Sequence, residues 1–392
     1  SKFRYGYARN GGVASGVVGT AYMSEQLDAL FAVSGRDADD FEDGAGAVVS
    51  DTAEQANSEL LKLAYHIDGS QTISFSAMSY NSEFISGDYE QELTTSTYIL
   101  GYSFDAADGL INLDVNAYYS EVDNQYGDTY LGSSPYGGGS VGRHMVTKTL
   151  GINATNISEF SLGAWDLTSI NGFEYSRDDL AGGNSGVNPA DGESMRAALF
   201  SENIFSNGPW EVTAGLRLNK YTLEGGVVDI DETSVDPSLT VAYQVNDWFQ
   251  PYATISRASR TPSLQETMFG GTPHGGVSGG FVGNPELRPE VSTGYELGFN
   301  IQRDGLFTAD DRLEGRVNYY QMDVENYITA SYPDTVTTSA GTGYTFVNVP
   351  GISQTSGLAI ELNYLVSRYE IGLSYTRNAK ASPRHTPGPG AG

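Results

Sequence analysis

Four scarcities bound what this 392-residue chain can be. It has no cysteine, which excludes disulfides and thiolate metal sites and fits an oxidising compartment where stray thiols are avoided. It has no run of 18 or more apolar residues, so no transmembrane helix is expected. Strands of a membrane barrel alternate and never build such a run, so a barrel stays open. Positive charge is sparse: 21 Lys and Arg against 49 Asp and Glu give a formal net charge of −28. Nucleic acid needs clustered cations to meet its phosphates, so it is not an expected partner. Histidine occurs four times, at His66, His144, His274 and His385, so an imidazole site has few candidates. The chain opens at Ser1-Lys2-Phe3 with no apolar signal segment, so any signal peptide is expected to have been removed or to lie upstream.

Tyrosine (26 residues) and glycine (48 residues) are plentiful, and the mean hydropathy of −0.31 suits either a soluble protein or a barrel with a wet interior. The strongest regularity is period-two alternation. Leu61, Leu63, Tyr65 and Ile67 alternate with Lys62, Ala64 and His66. Ile111, Leu113, Val115, Ala117 and Tyr119 alternate with Asn112, Asp114, Asn116 and Tyr118, and Val212, Ala214, Leu216 and Leu218 with Glu211, Thr213, Arg217 and Asn219. The same pattern runs through 239–245, 358–364 and 369–375. Roughly 17 such strands, each about 8–14 residues, are predicted, with no convincing helix; strands that long suit a tilted bilayer crossing better than a soluble sandwich.

The connections alternate too. Short links are predicted near 23–27, 67–71, 104–110, 156–164, 205–210, 246–249 and 365–368, with a moderate one at 303–312. Long ones fall near 36–58, 82–94, 121–144, 177–195, 221–237, 258–293 and 327–355. A soluble sandwich has no reason to segregate them, whereas an outer-membrane barrel has short turns on one side and long loops on the other. The expected fold is therefore all-β, a transmembrane antiparallel β-barrel. Tyr98, Tyr102, Phe104, Tyr119, Trp210, Tyr221, Tyr243, Trp248, Phe249, Tyr252, Tyr364 and Tyr369 fall near strand ends, where interfacial girdles form. Residues 1–378 are expected to be a partial barrel, and 379–392, rich in Pro and Gly, a non-strand tail, because proline lacks the ladder donor. An odd strand count cannot close simply, so an open or distorted wall is expected, with strand pairing lost after about residue 378.

Two short boxes carry the functional reading. Ser259-Arg260-Thr261-Pro262-Ser263-Leu264-Gln265-Glu266 resembles the "FRAP" box of TonB-dependent outer-membrane receptors, and Asn284-Pro285-Glu286-Leu287-Arg288-Pro289-Glu290 resembles their "NPNL" box. The resemblance covers most of residues 1–378, and the early Gly-rich strands, the loop Asp37–Gly46 and the stretch Ser58–Leu63 are similar to the barrel start of haem and haemoglobin receptors. It implies about 17 of the family's 22 strands, with the plug domain and the last strands missing. It also implies a receptor and transporter, not an enzyme. The ligand would be haem, free or from a haem-carrier protein or haemoglobin, and uptake would be energised by the TonB complex acting on a plug. The location would be the lipid of a Gram-negative outer membrane. Glu266 to His274 looks most like the subgroup that takes haem from a secreted carrier, and by motif position His274 is the loop-side axial ligand. The first box departs from the family in having Ser259 where Phe or Trp is usual, and the usual aromatic C-terminal residue is not at Gly392.

Neutral imidazole is a common haem-iron ligand, and glycines around His274 would let a loop fold onto a flat porphyrin. A solvated loop histidine is the bland alternative. Arg257, Arg260 and Arg288 could meet haem propionates with their forked donors, but pairing with acids of the lumen is at least as reasonable. Pro262, Asn284, Pro285, Leu287, Pro289 and Glu290 are expected first of all to stiffen the loop's return into a strand. His144 is expected to end a loop, His66 to sit on the opposite rim, and His385 to carry nothing. The acidic run Asp37, Asp39, Asp40, Glu42, Asp43 lacks the closing glutamate of a calcium loop and reads as solvated. No Ser/His/Asp set, paired-carboxylate pattern or phosphate loop stands out, the Gly-rich run from Tyr136 to Gly139 included. The rival functions are a siderophore receptor gripping its ligand with Phe269 and Phe281, and a passive porin.

Overall fold

In the computed structural model, described for all residues except 134–139, 184–187, 190, 227, 271–279, 380–382 and 385–392, the chain forms one large antiparallel wall. Its strands are β1 (Lys2–Ala8), β2 (Val13–Met23), β3 (Leu27–Ala38), β4 (Glu54–His66), β5 (Gln71–Ser86), β6 (Tyr89–Asp105), β7 (Asn112–Tyr130), β8 (His144–Leu162) and β9 (Trp165–Gly183). They continue as β10 (Gly192–Asn207), β11 (Trp210–Gly225), β12 (Val228–Tyr243), β13 (Phe249–Arg260), β14 (Glu290–Asp304), β15 (Asp311–Glu325), β16 (Ile352–Val366) and β17 (Tyr369–Ala379). Each pairs with the next in sequence, from β1 to β17, and the described residues of β1 and β17 do not pair with each other. The wall is open, as expected from the odd strand count.

Registers show which face is which, because directly opposed residues of antiparallel strands point the same way. Leu63, Phe75, Leu100, Ala117, Ile152, Tyr175 and Ala197 form one continuous row across β4 to β10. Phe173, Leu199, Leu218 and Val235 form another across β9 to β12. These apolar rows are on the surface: Leu199 is 61% exposed and Leu100 55%. The opposite face carries Glu174, Arg217, Asn219 and Asp236, joined by the Arg217–Glu174 ion pair (2.5 Å) and by Asn219 donating to Asp236 (2.8 Å). Apolar residues outward and a hydrogen-bonded polar lining inward are what a strand needs between lipid and a wet lumen. No described helix is long and apolar enough to cross a membrane.

Three expectations need correction. The connections expected near 82–94 and 221–237 are mostly strand. The β5–β6 hairpin turns at Gly87-Asp88, with its ladder running from Ser86↔Tyr89 downward, and β11–β12 is paired up to Gly225↔Val228. Polar residues there stay extended because each hairpin satisfies its own backbone groups well above the apolar band. Tyr221 and Tyr252, assigned to the girdle, are buried at 3% and 9% exposure and lie on the inner face. Finally, pairing does not stop at 378. β17 ends at Ala379, where expected, but Pro383-Arg384 bridges to Ile352-Ser353, the part of β16 that β17 leaves open.

Candidate functional site

The connection between β13 and β14 begins with a helical turn that no periodicity announced. Helix α1 (Leu264–Met268) starts at Ser263, whose hydroxyl accepts the Glu266 amide (3.2 Å) while the Glu266 carboxylate accepts the Ser263 amide (2.8 Å). This reciprocal pair is the capping box, and its signature, Ser-x-x-Glu, lies inside the first box of the sequence. A helix of five residues is not stable by itself. It is held because Leu264 and Met268 pack on Tyr221, Leu223, Val228 and Ile230, on the inner face of the β11–β12 hairpin. Burying side chains such as Leu223 and Met268 stabilises by about 1.5–3 kcal/mol each. The Tyr221 hydroxyl donates to the carbonyl of Pro262 (2.6 Å), fixing the chain just before the helix.

Arg260 ties the two boxes together. Its guanidinium donates to both oxygens of Glu290 (2.7 and 2.8 Å) and both of Glu266 (2.9 and 3.1 Å). Glu290 also accepts the Ile328 amide (2.7 Å). The fork is thereby filled, so Arg260 is a structural brace and not a free propionate partner. Arg257 donates to the carbonyl of Val235 (2.7 Å). Arg288 is different: its side chain is exposed, and none of the described residues gives it a hydrogen bond or ion pair, whereas its backbone is clamped by Asn348.

The second box is anchored on the next long connection, residues 326–351. Asn284 donates to the carbonyl of Phe346 (2.7 Å) and accepts the Glu286 amide (3.0 Å); Asn348 accepts the Arg288 amide (2.9 Å) and donates to the carbonyl of Asn326 (2.7 Å). Glu286 accepts the Ser339 amide (3.1 Å), and hydrogen bonding from Ser339, hydroxyl before amide, holds its carboxyl below the ordinary glutamate range. Leu287 is buried at 4% exposure. Pro262 is fully buried, and Pro285 and Pro289 are half-buried.

Besides the Arg260–Glu290 pair, a backbone bond joins the end of the first box's helix to the second box. The Asn284 amide donates to the Thr267 carbonyl (2.8 Å), and Thr267 is fully buried. Gly283 passes so close that a Cβ there would lie 2.6 Å from the same carbonyl, which is why this position needs glycine. Residues 268 and 283 therefore flank a pinned base, beyond which 269–270 pair with 188–189 and Gly280 and Val282 bond to Tyr344. His274 belongs to this segment and lies outside the described residues, as does His385. Below α1, the inner face holds a concavity of about 780 Å³, whose lining includes Arg196, Arg217, Tyr221, Asp236, Ser259 and Arg260. That falls within the range of about 300–1,000 Å³ common for small-molecule sites.

The other histidines have ordinary roles. His144 contacts Asp123 (2.7 Å) on the outward face at the start of β8, and His66 bridges Thr72 (3.1 Å) and Asp28 (3.2 Å) at the short-turn rim. In the acidic loop, Asp40 accepts the amides of Thr52 and Ala53 and Asp43 those of Ala45 and Ala47, so these carboxylates shape the backbone. Among the described residues no group of three or more His, Asp or Glu is placed to hold a metal ion.

Residues 35–390 match the family described as "TonB dependent receptor-like, beta-barrel". A probable TonB-dependent receptor of Haemophilus influenzae is 33% identical over 227 residues, 49% of this chain and 24% of that protein. A hemin receptor of Yersinia pestis is 22% identical over 398 residues, 95% of this chain and 57% of that protein. Among solved structures, the Serratia marcescens hemophore receptor HasR, in complex with its hemophore HasA and heme, superposes with a TM-score of 0.82 at 23% identity, over 96% of this chain and 62% of that one. Siderophore receptors are also among the matches. The chain thus spans about a quarter to three fifths of the length of these relatives. With apolar rows outward, a polar lining inward and short turns opposite long loops, this chain belongs to the TonB-dependent receptor β-barrels, a family of transporters and receptors that are not enzymes.

Proposed function

We propose that this chain forms part of the barrel wall of a receptor that captures haem, free or from a haem-carrier protein or haemoglobin, in the outer membrane of a Gram-negative bacterium. Uptake is energised by the TonB complex through a plug domain. The observation that carries the reading is the pinned loop. Both boxes are consumed in building a base at Thr267 and Asn284, and the sequence between them carries His274. A histidine held on such a base can meet iron from the loop side, because neutral imidazole is a good axial ligand to haem. Arg288, exposed and without a side-chain partner among the described residues, is the better candidate for a propionate; Arg260 supports the loop instead. A hemin receptor and a hemophore receptor among the relatives support haem over other iron carriers.

Haem titration of the full-length protein tests this. Wild type is expected to shift the Soret band on binding, and His274→Ala to abolish the shift or weaken binding about tenfold or more, the loss expected of an axial ligand. An unchanged shift in His274→Ala removes the ligand assignment. Failure to bind haem, with binding of a ferric siderophore sensitive to Phe269→Ala or Phe281→Ala, replaces the haem reading with the siderophore one. Liposome swelling by small solutes with the whole protein inserted points to a passive porin.

A further inference from the structure

Several arginines in this strongly acidic chain have a carboxylate partner. Arg36, Arg177, Arg196, Arg217, Arg260, Arg312 and Arg316 all pair with Asp or Glu. Two arginines at the short-turn rim do not, and both lie over aromatic rings instead. The Arg303 guanidinium sits 5.5 Å from the centre of the Trp248 ring, and that of Arg368 sits 5.4 Å from the centre of the Tyr369 ring, with Nη2 also donating to the Tyr369 hydroxyl (3.3 Å). Neither forms an ion pair with any described residue, although Asp304 follows Arg303 directly and Glu370 lies two residues after Arg368. Asp304 faces Arg312 (3.9 Å) and Glu370 accepts from Asn363 (2.9 Å), both on the inner side of the wall.

Register puts Arg303 on the lipid side. It stands opposite Leu313, which stands opposite Tyr364, which stands opposite Ile371, and Ile371 is 63% exposed. Trp248 adjoins Phe249 (5.6 Å), and Phe249 adjoins Phe299 (5.3 Å), giving an aromatic floor directly beneath the cation. Aromatic rings of this kind settle at the level of lipid headgroups. There the local dielectric is below that of water, and a guanidinium with no protein anion is left needing one. The planar fork matches two oxygens of a phosphate, and the ring face beneath leaves its N–H edges free to meet them.

We propose that Arg303 with Trp248, and in a second copy Arg368 with Tyr369, are binding sites for the phosphodiester of a phospholipid headgroup in the leaflet next to the short turns. The two sites are three strands apart along the rim, β14 to β17, so each takes its own lipid and together they fix the height of the wall in the bilayer. This rests on the wall crossing a membrane and is independent of the ligand captured at the other end.

Native mass spectrometry of the full-length protein in a neutral detergent, with phosphatidylglycerol added, reads the sites directly. Wild type is expected to retain two lipids and Arg303→Ala one, the affinity of the Arg303 site falling about tenfold, the worth of a charge-assisted hydrogen-bonded pair. Arg303→Lys should recover part of it, since the charge survives without the fork. If Arg303→Ala does not fold, as judged by heat-modifiable gel mobility, Arg303→Gln takes its place. Retention equal to wild type in the folded variant overturns the proposal. So does displacement of the lipid by millimolar inorganic phosphate, which would make these sites for a free anion. A protein that stays dispersed without detergent would instead overturn the membrane wall on which the proposal rests.

Discussion

The two ends of the wall are held by different kinds of interaction. At the short-turn end each turn is shaped from within, and the bonds between turns, such as His66 to Asp28 and Ser158 to Leu110, join only adjacent hairpins. Asp68 accepts the amides of Ser70 and Gln71 (2.8 and 2.9 Å), Asp108 those of Leu110 and Ile111 (2.8 and 3.2 Å), and Asn246 that of Trp248 (3.1 Å). These are Asx turns, self-contained within three residues. At the loop end the bonds span the chain: Tyr221 to Pro262, Arg260 to Glu290, Asn284 to Phe346, Arg288 to Asn348. One end can therefore keep the shape of a turn largely from its own residues, while at the other the shape of one connection depends on the next. A receptor needs that coupling at the end that meets its ligand.

Substitutions should sort by end. The largest effect is expected from Arg260→Ala, which strands Glu266 and Glu290, both mostly buried, and should destabilise residues 261–289 by about 2–3 kcal/mol after allowing for the half-exposed guanidinium. Hydrogen exchange resolved along the chain measures it, and the wall at β15 and β16 should be unaffected. Gly283→Ala comes next, at about 1–3 kcal/mol, because its Cβ meets the Thr267 carbonyl and forces the loop base apart. Haem affinity should fall with it while barrel assembly on gels does not. Tyr221→Phe removes one buried hydrogen bond to Pro262 and should cost about 1 kcal/mol in thermal unfolding. The equivalent deletion at the other end, Asp108→Ala, should be smaller and confined to its own turn.

The smallest effect is a pH dependence at the loop end. Glu286 is held below its ordinary value by hydrogen bonds from Ser339, so its contribution is complete above pH 4.5 and is lost as pH falls through the lowered folded value. The protection factor of the Ser339 amide should drop in that acid window, and Glu286→Gln should remove the dependence.

Legibility in the sequence follows the same division. Alternation of residues such as Leu216 and Leu218 with Arg217 and Asn219 gives the strands, their lipid face and their lumen face, because a strand repeats every two residues. The short turns were visible for the same local reason. The cap was not. Ser263 and Glu266 announce a helix start, but a five-residue helix leaves no periodicity, and its hold on Leu223 and Ile230 depends on a hairpin some 40 residues earlier. The lengths of the long connections were overestimated at 82–94 and 221–237, since polar residues in a self-paired hairpin look the same in sequence as polar residues in a loop. That Arg260 would be braced by two glutamates, and Arg288 left exposed, depended on which acids the fold brings near and could not be read from the boxes alone.

The central claim is that the two boxes close the base of the segment carrying His274 through the Arg260–Glu290 pair and a backbone bond between Thr267 and Asn284. Hydrogen exchange at the Asn284 amide in the full-length protein tests it most directly. The account predicts protection comparable to that of the flanking strands β13 and β14, lost in Arg260→Ala and Gly283→Ala while those strands stay protected. Exchange of the Asn284 amide in wild type at the rate of an unstructured loop would contradict it.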